Sequence, residues 1–338
     1  MNKKLFVFFL FFILSGCKIE RGENKVTSPK SNMAISHCIG RHRIDIPASF
    51  IESIIATGSF KEVGASPQDP SLDVVVSAPV TPEKYAIAIR KRRIEFGKSV
   101  SDTVDVLRFE KTFESGETIF RVQQIDDAYV SEVNILRGSS MVTVRLESYR
   151  NQFAAAEDAL LKFAAKIKAV DHSLNGNAAQ GFCLGSVWIA GEFGEEKGNF
   201  QFADGDGKNF QIDVDTYVQD SHAHLLDRMS GPDSLLERFN LSHTVLRKRE
   251  RQVANMRAQE WLGWARLSDE KNSKVLKFAL ETIRPLPGKQ TPSISVTFDV
   301  DDVEKNGKQE GIYMSDDEAM KLWDAVIDSI RATDVDRI

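Results

Sequence analysis

Cys17 stands directly behind Leu14-Ser15-Gly16, where an unbroken apolar run from Leu5 ends, with Lys3 and Lys4 ahead of it. A thiol after that triplet looks like a bacterial lipobox. In such a box the cysteine is acylated, the chain is cut just before it, and Cys17 becomes the new N-terminus. An ordinary signal peptide with a chance cysteine is the alternative. The apolar run falls short of the roughly 20 residues a membrane span needs, so residues 1–16 read as a secretory signal. Two further thiols, Cys38 and Cys183, would then lie in an oxidising compartment, which invites one disulfide between them; two buried free cysteines are the other reading.

Groups that could hold a metal or act as catalysts are sparse. His222-Ala223-His224, with Asp220 nearby, could ligate a metal on a strand, but on a helix the two imidazoles point apart, and this segment reads as a helix start. Asp204-Gly205-Asp206-Gly207-Lys208-Asn209 is similar to part of a calcium loop. Lys208 stands where an acid or amide is wanted and Asp215 where the glutamate belongs, so a polar turn between strands is the better reading. There is no G-x-S-x-G elbow, no H-E-x-x-H and no paired C-x-x-C. The expectation is no metal, no cofactor and no catalytic centre.

Charge patterns point to surfaces rather than to reactions. The net charge of −5 is small and mixed in sign, which argues against nucleic acid as a partner. Arg90-Lys91-Arg92-Arg93 lies on a helix whose Tyr85, Ile89 and Phe96 mark a buried side, so a solvated face with snorkelling arginines is expected. Asp299, Asp301, Asp302 and Glu304 lead into Lys305-Asn306-Gly307-Lys308, whose Asn-Gly reads as a hairpin tip. Binding residues tend to lie on projecting loops. Asp204, Asp206, Asp301 and Asp302 are therefore candidate partner-binding residues, weighed against plain soluble turns. Trp261-Leu262-Gly263-Trp264 puts Trp261 and Leu262 on opposite faces of a strand, as core or as a partner surface.

The elements that must position these residues come in two runs. From Lys18 to Met33 the chain is polar and small, a tether (residues 17–33) that cannot fold alone. Lys18 replaces the aspartate that generally retains lipoproteins in the inner membrane, so the outer membrane is expected. Cys38-Ile39-Gly40-Arg41 and Ile44-Asp45-Ile46 then open a first half. A strand at Leu72 to Val76 follows, then a helix capped by Thr81-Pro82-Glu83 and running to about Phe96. Extended segments follow at Val104–Phe113, Thr118–Ile125, Tyr129–Arg137 and Met141–Tyr149, and a helix over Asn151–Val170 closes the half. After a linker at Asp171–Gln180, Phe182-Cys183-Leu184-Gly185 opens a second half. It has a strand to Ala190, a Gly- and Asp-rich stretch over Gly191–Lys208 and a strand at Phe210–Val214. Helical segments are expected near Ala223–Met229 and Ser234–Phe239. Four more extended segments lie between Thr244 and Val300. Ser315 and Glu318 form a capping box for a last helix whose Ala319, Leu322, Trp323, Val326, Ile327 and Ile330 share one face. The expected class is α+β: two similar domains, 34–172 and 181–338, each a mainly antiparallel sheet with helices packed on one face. The cysteines hold matching positions, so a bond between them would pin the starts of both domains together.

Cys38-Ile39-Gly40-Arg41 with Ile44-Asp45-Ile46-Pro47, the second opening Phe182-Cys183-Leu184-Gly185, and the end Ser315-Asp316-Asp317-Glu318-Ala319 with Leu322-Trp323-Asp324 resemble immunity proteins that neutralise type VI secretion lipase effectors. The resemblance covers nearly the whole mature chain and departs at His42-Arg43, where an aromatic or aliphatic strand start is expected. It implies a two-domain envelope lipoprotein with no catalytic activity, attached to the membrane through its lipid anchor, whose partner is a phospholipase effector; it blocks that effector's substrate access, often by wedging into the cleft its lid must open. It is expected to act as a monomer in the periplasm. The residues alone leave two rivals: an envelope structural or assembly lipoprotein, and an unrecognised hydrolase using scattered Asp, Glu and His.

Overall fold

The computed structural model describes residues 33–50, 53–66, 68–96, 106–170, 181–204, 207–217, 224–229, 242–266, 274–283, 288–300, 303–305, 308–310 and 314–333. The lipobox, the tether up to residue 32, His222 and the expected helix at Ser234–Phe239 lie outside these residues.

The first half holds β1 (Ala34–Gly40), β2 (His42–Pro47), β3 (Ser53–Lys61), β4 (Leu72–Ala78), α1 (Pro82–Glu95), β5 (Val106–Thr112), β6 (Thr118–Ile125), β7 (Ala128–Arg137), β8 (Ser140–Tyr149), α2 (Phe153–Ala165) and β9 (Ile167–Ala169). The second holds β10 (Gly181–Leu184), β11 (Val187–Ala190), β12 (Glu195–Ala203), β13 (Lys208–Asp215), α3 (Leu225–Arg228), β14 (Ser242–Val253), β15 (Met256–Arg266), β16 (Lys274–Thr282), β17 (Ser293–Val300), β18 (Val303–Lys305), β19 (Lys308–Glu310), α4 (Asp316–Asp328) and β20 (Arg331–Ala332).

A 12-stranded antiparallel sheet runs through both halves in the order β14-β15-β16-β17-β13-β12-β3-β4-β8-β7-β6-β5. Read outward from the seam between β3 and β12, the strands of the two halves follow one plan. At the seam Lys61 pairs with Glu195 and Phe60 with Glu196. A 6-stranded sheet, β20-β2-β1-β10-β11-β9, joins the two opening hairpins edge to edge. In it each half's closing strand adds to the other half's hairpin: β9 pairs with β11, and β20 with β2. The halves thus share both sheets, and residues 32–338 form one compact unit.

One buried cluster lies between the two sheets. Phe60 meets Phe182 and Phe193 at ring-centroid distances of 5.2 Å, so first- and second-half aromatics interlock. Cys38 and Cys183 are bonded, with Cα atoms 5.8 Å apart and a sequence separation of 145. Closing a loop of that length stabilises by ~3–5 kcal/mol in the chain-entropy account.

Four expectations need correction. The helices do not share one face: α1 packs on Phe120 and Val122, whereas α2 packs on the side of Ile119 and Val133. The helix expected to run to Val170 stops at Ala165, and β9 follows. The Gly- and Asp-rich stretch contains β12, where Glu196, Gly198, Phe200 and Phe202 alternate inward. The charge of Glu196 hid that alternation, and Arg41 neutralises it through Nη2 at 2.6 Å. Finally, β3 was not foreseen. In contrast, α4 follows expectation, with both hydrogen bonds of its capping box formed and Ala319, Trp323, Val326 and Ile327 buried.

Candidate functional site: the outer face of the large sheet

Strand alternation gives the 12-stranded sheet two unlike faces. Phe200, Phe202, Phe210, Ile212, Val296 and Phe298 point into the core. Their neighbours in sequence line the other face, and they are small or polar: Thr57 and Ser59 on β3, Asp73 on β4, Lys197 and Asn199 on β12, Asp213 and Asp215 on β13, Thr297 and Asp299 on β17. These side chains are tied across strands. Asn199 Nδ2 donates to Asp213 Oδ1 at 2.7 Å, Lys197 Nζ reaches Asp215 at 2.9 Å, and Lys277 Nζ reaches Asp299 at 3.1 Å. A shallow depression of about 390 Å³ opens over the seam, lined by Thr57, Ser59, Asp73, Lys197, Asp213 and Asp215.

Two helices stand on this face. α1 begins at the Thr81 cap, whose hydroxyl accepts from Lys84 N, with Pro82 in the first turn. It is fixed by Tyr85 Oη donating to Asn134 O at 2.8 Å and by Ile89 and Phe96 against Phe120 and Val122. On the other flank α3 sits over β15, with Leu225 buried and Leu226 N donating to Gln259 Oε1 at 2.9 Å. The polar strip therefore lies between a helix of each half.

Beneath α1, Glu132 is almost fully buried. Burial pushes its carboxyl up, but Arg92 Nη2 at 2.9 Å, Arg145 Nε at 2.8 Å and Asn134 Nδ2 at 2.9 Å pull it down further, so it ends below the usual carboxylate range. Arg92 also lies 4.1 Å over the Phe96 ring. The arginine run is thus only partly the solvated face expected: Arg92 bridges helix to sheet, and Arg93 pairs with Glu110.

Among the sequence candidates, Asp204 is buried and engaged. Its Oδ2 takes Lys208 Nζ at 2.7 Å and its Oδ1 takes Lys208 N at 3.1 Å, so it shapes the β12–β13 turn and does not present its carboxylate to a partner. Asp206, Asp301 and Asp302 lie outside the described residues. Lys208 pairs with Val300, so the start of β13 and the end of β17 lie at the same end of the sheet. Trp261 and Leu262 are both buried, as core. Lys305 pairs with Lys308, while Asn306 and Gly307 lie outside the described residues. Among the described residues no cluster of three or more His, Cys, Asp or Glu is placed to hold a metal, and no helix is long and apolar enough to cross a membrane. The arrangement offers hydrogen-bonding groups held in register over a broad surface, which suits binding.

Residues 177–334 match the family model of the Tle cognate immunity protein 4 C-terminal domain. The second half of this chain is thus similar to that domain. The match takes in β10 to β20, including the strand that completes the first half's hairpin. The fold as a whole is similar to a chain in the crystal structure of the Tle4–Tli4 complex, at 18% identity and TM-score 0.59, covering 90% of this chain and 99% of that one. It is similar also to the apo immunity protein TplEi of the type VI secretion system of Pseudomonas aeruginosa, at 17% identity and TM-score 0.57, covering 90% and 98%. The same protein in complex with the "L" peptide matches at 19% identity and TM-score 0.57, covering 90% and 99%. No curated protein matches the sequence. The chain is therefore Tli4-like in fold over nearly its whole length, and its second half matches the family model in sequence.

Proposed function

We propose that this chain is a periplasmic, lipid-anchored immunity protein that binds a type VI secretion phospholipase effector and blocks its access to substrate. The observation that carries the reading is the match of residues 177–334 to the Tle cognate immunity family. The likeness in fold to a chain of the Tle4–Tli4 complex supports it. The Leu14-Ser15-Gly16-Cys17 box supports acylation at Cys17, and Lys18 supports the outer membrane. The polypeptide acts as a monomer by occupying a surface, with no reaction, metal or cofactor of its own. The common strand plan of the two halves supports their reading as two similar domains, 34–172 and 181–338. Asp206, Asp301 and Asp302 are proposed as partner-binding residues.

The test mixes the purified chain with the lipase encoded beside it and follows phospholipid hydrolysis in vesicles. Hydrolysis is expected to fall to background at one equivalent. Unchanged hydrolysis at a tenfold excess rejects the reading. Labelled palmitate incorporation that survives Cys17→Ser would reject the anchor.

A further inference from the structure

α1 is apolar on two opposite sides. Tyr85, Ile89 and Phe96 face the sheet. Ile87 stands two residues from Ile89, about 200° round the helix, and Ile94 is two turns further on along the same stripe. Both point outward, 62% and 52% exposed. Arg90 and Lys91 lie between them and Lys84 one turn before, all exposed. A helix packed on one side only keeps its other side polar. Two isoleucines on the crest are the mark of a helix that is sandwiched when at work.

The sheet around α1 repeats the signal. Ile55 pairs with Ser77 and Ser77 with Met141, which packs against the α1 cluster, so Ile55 shares that face. Ile125, Ala128 and Tyr149 form one cross-strand row, and Tyr149 is eight residues along β8 from Met141, again on that face. Five of the ten large apolar side chains exposed among the described residues (Ile55, Ile87, Ile94, Ile125 and Tyr149) thus lie on the α1 side of the first-half strands. Ile55 and Tyr149 lie toward opposite ends of their strands, so the pair on α1 is where exposed apolar side chains stand together.

We infer that the crest of α1 is the anchor of the effector interface: Ile87 and Ile94 enter an apolar groove on the lipase, and Lys84, Arg90 and Lys91 meet carboxylates on its rim. The identity of the occupant rests on the function proposed above; the location of the interface rests on the exposure pattern. The aliphatic pair supplies contact area and the cations select an acidic rim over other apolar grooves.

The experiment compares the mature chain with the double variant Ile87→Asp, Ile94→Asp, with Arg90→Glu, and with Lys162→Glu on the exposed side of α2 as a control. All are checked for an unchanged melting curve, and binding to the neighbouring lipase is measured by calorimetry. The double variant is expected to lose affinity on the order of 100-fold or more and Arg90→Glu about tenfold, while the control stays within about twofold. A folded double variant that binds within about twofold of wild type overturns the inference and leaves the proposed function standing. No binding by wild type sinks both. Two further outcomes also overturn it: a wild-type dimer in sedimentation that the double variant dissolves, which gives the crest to a second copy, and crest-dependent pelleting of the unacylated chain with anionic vesicles, which gives it to lipid.

Discussion

Glu260 on β15 has no access to water, and four donors replace the lost hydration. Arg247 Nε lies at 2.8 Å, Arg249 Nε at 3.0 Å, Arg251 Nη1 at 2.8 Å and Trp323 Nε1 at 2.8 Å. Burial raises its carboxyl, and the Trp323 and Arg251 hydrogen bonds with the arginine charges outweigh that, leaving it below the ordinary 4.5. A carboxyl depressed by folding adds stability that is present above its unfolded value and is lost as pH falls through the folded one. Glu260→Gln is expected to cost about 2–4 kcal/mol at pH 7, less than a fully enclosed pair because Arg249 is partly exposed. It should also weaken the decline in stability below about pH 4.5. Urea unfolding at pH 7 and pH 3.5 checks both. The partners come from another strand and from α4, 63 residues away in the case of Trp323. That is why the charged run Arg247-Lys248-Arg249-Glu250-Arg251 could be read as a strand but not as the lid of a buried carboxylate.

At the scale of elements, what could be read in advance was whatever is decided locally. α4 has its cap, its acidic first turn and its apolar stripe within one stretch of sequence, and the structure reproduces all three. The strand β12 was illegible because the residue that makes Glu196 tolerable inside is Arg41, 155 residues away. β9 and β20 are too short to carry a period at all. The candidate site was legible only in its turns: the outer face is assembled from alternate residues of strands that meet through non-local pairing. Trp323 is where α4 enters the core, with its ring 5.8 Å from Phe278 and its Nε1 on Glu260. Trp323→Ala should cost on the order of 3–5 kcal/mol, read as a drop in the denaturant midpoint with little change in slope.

For the whole molecule, the sequence can be read as two runs of elements but does not reveal that they interlock. Separating them would strip the partner from β3 and β12 at the seam, from β1 and β10, and from both exchanged closing strands. It would also open the contact of Phe60 with Phe182 and Phe193. Residues 34–172 and 181–338 produced separately are expected to show no cooperative melting transition, and to regain one on mixing. Circular dichroism of each piece and of the mixture tests this; a sharp transition in either piece alone would show self-sufficient halves.

The pairing of β20 with β2 ties the far end of the second half back onto the first hairpin. His42 finds Ala332, and Arg43 finds Arg331, across almost the whole described chain. Until β20 has been synthesised, the first hairpin has a bare outer border, a place where another nascent strand can add. A chain cut short before Arg331 would leave that border open for the lifetime of the product.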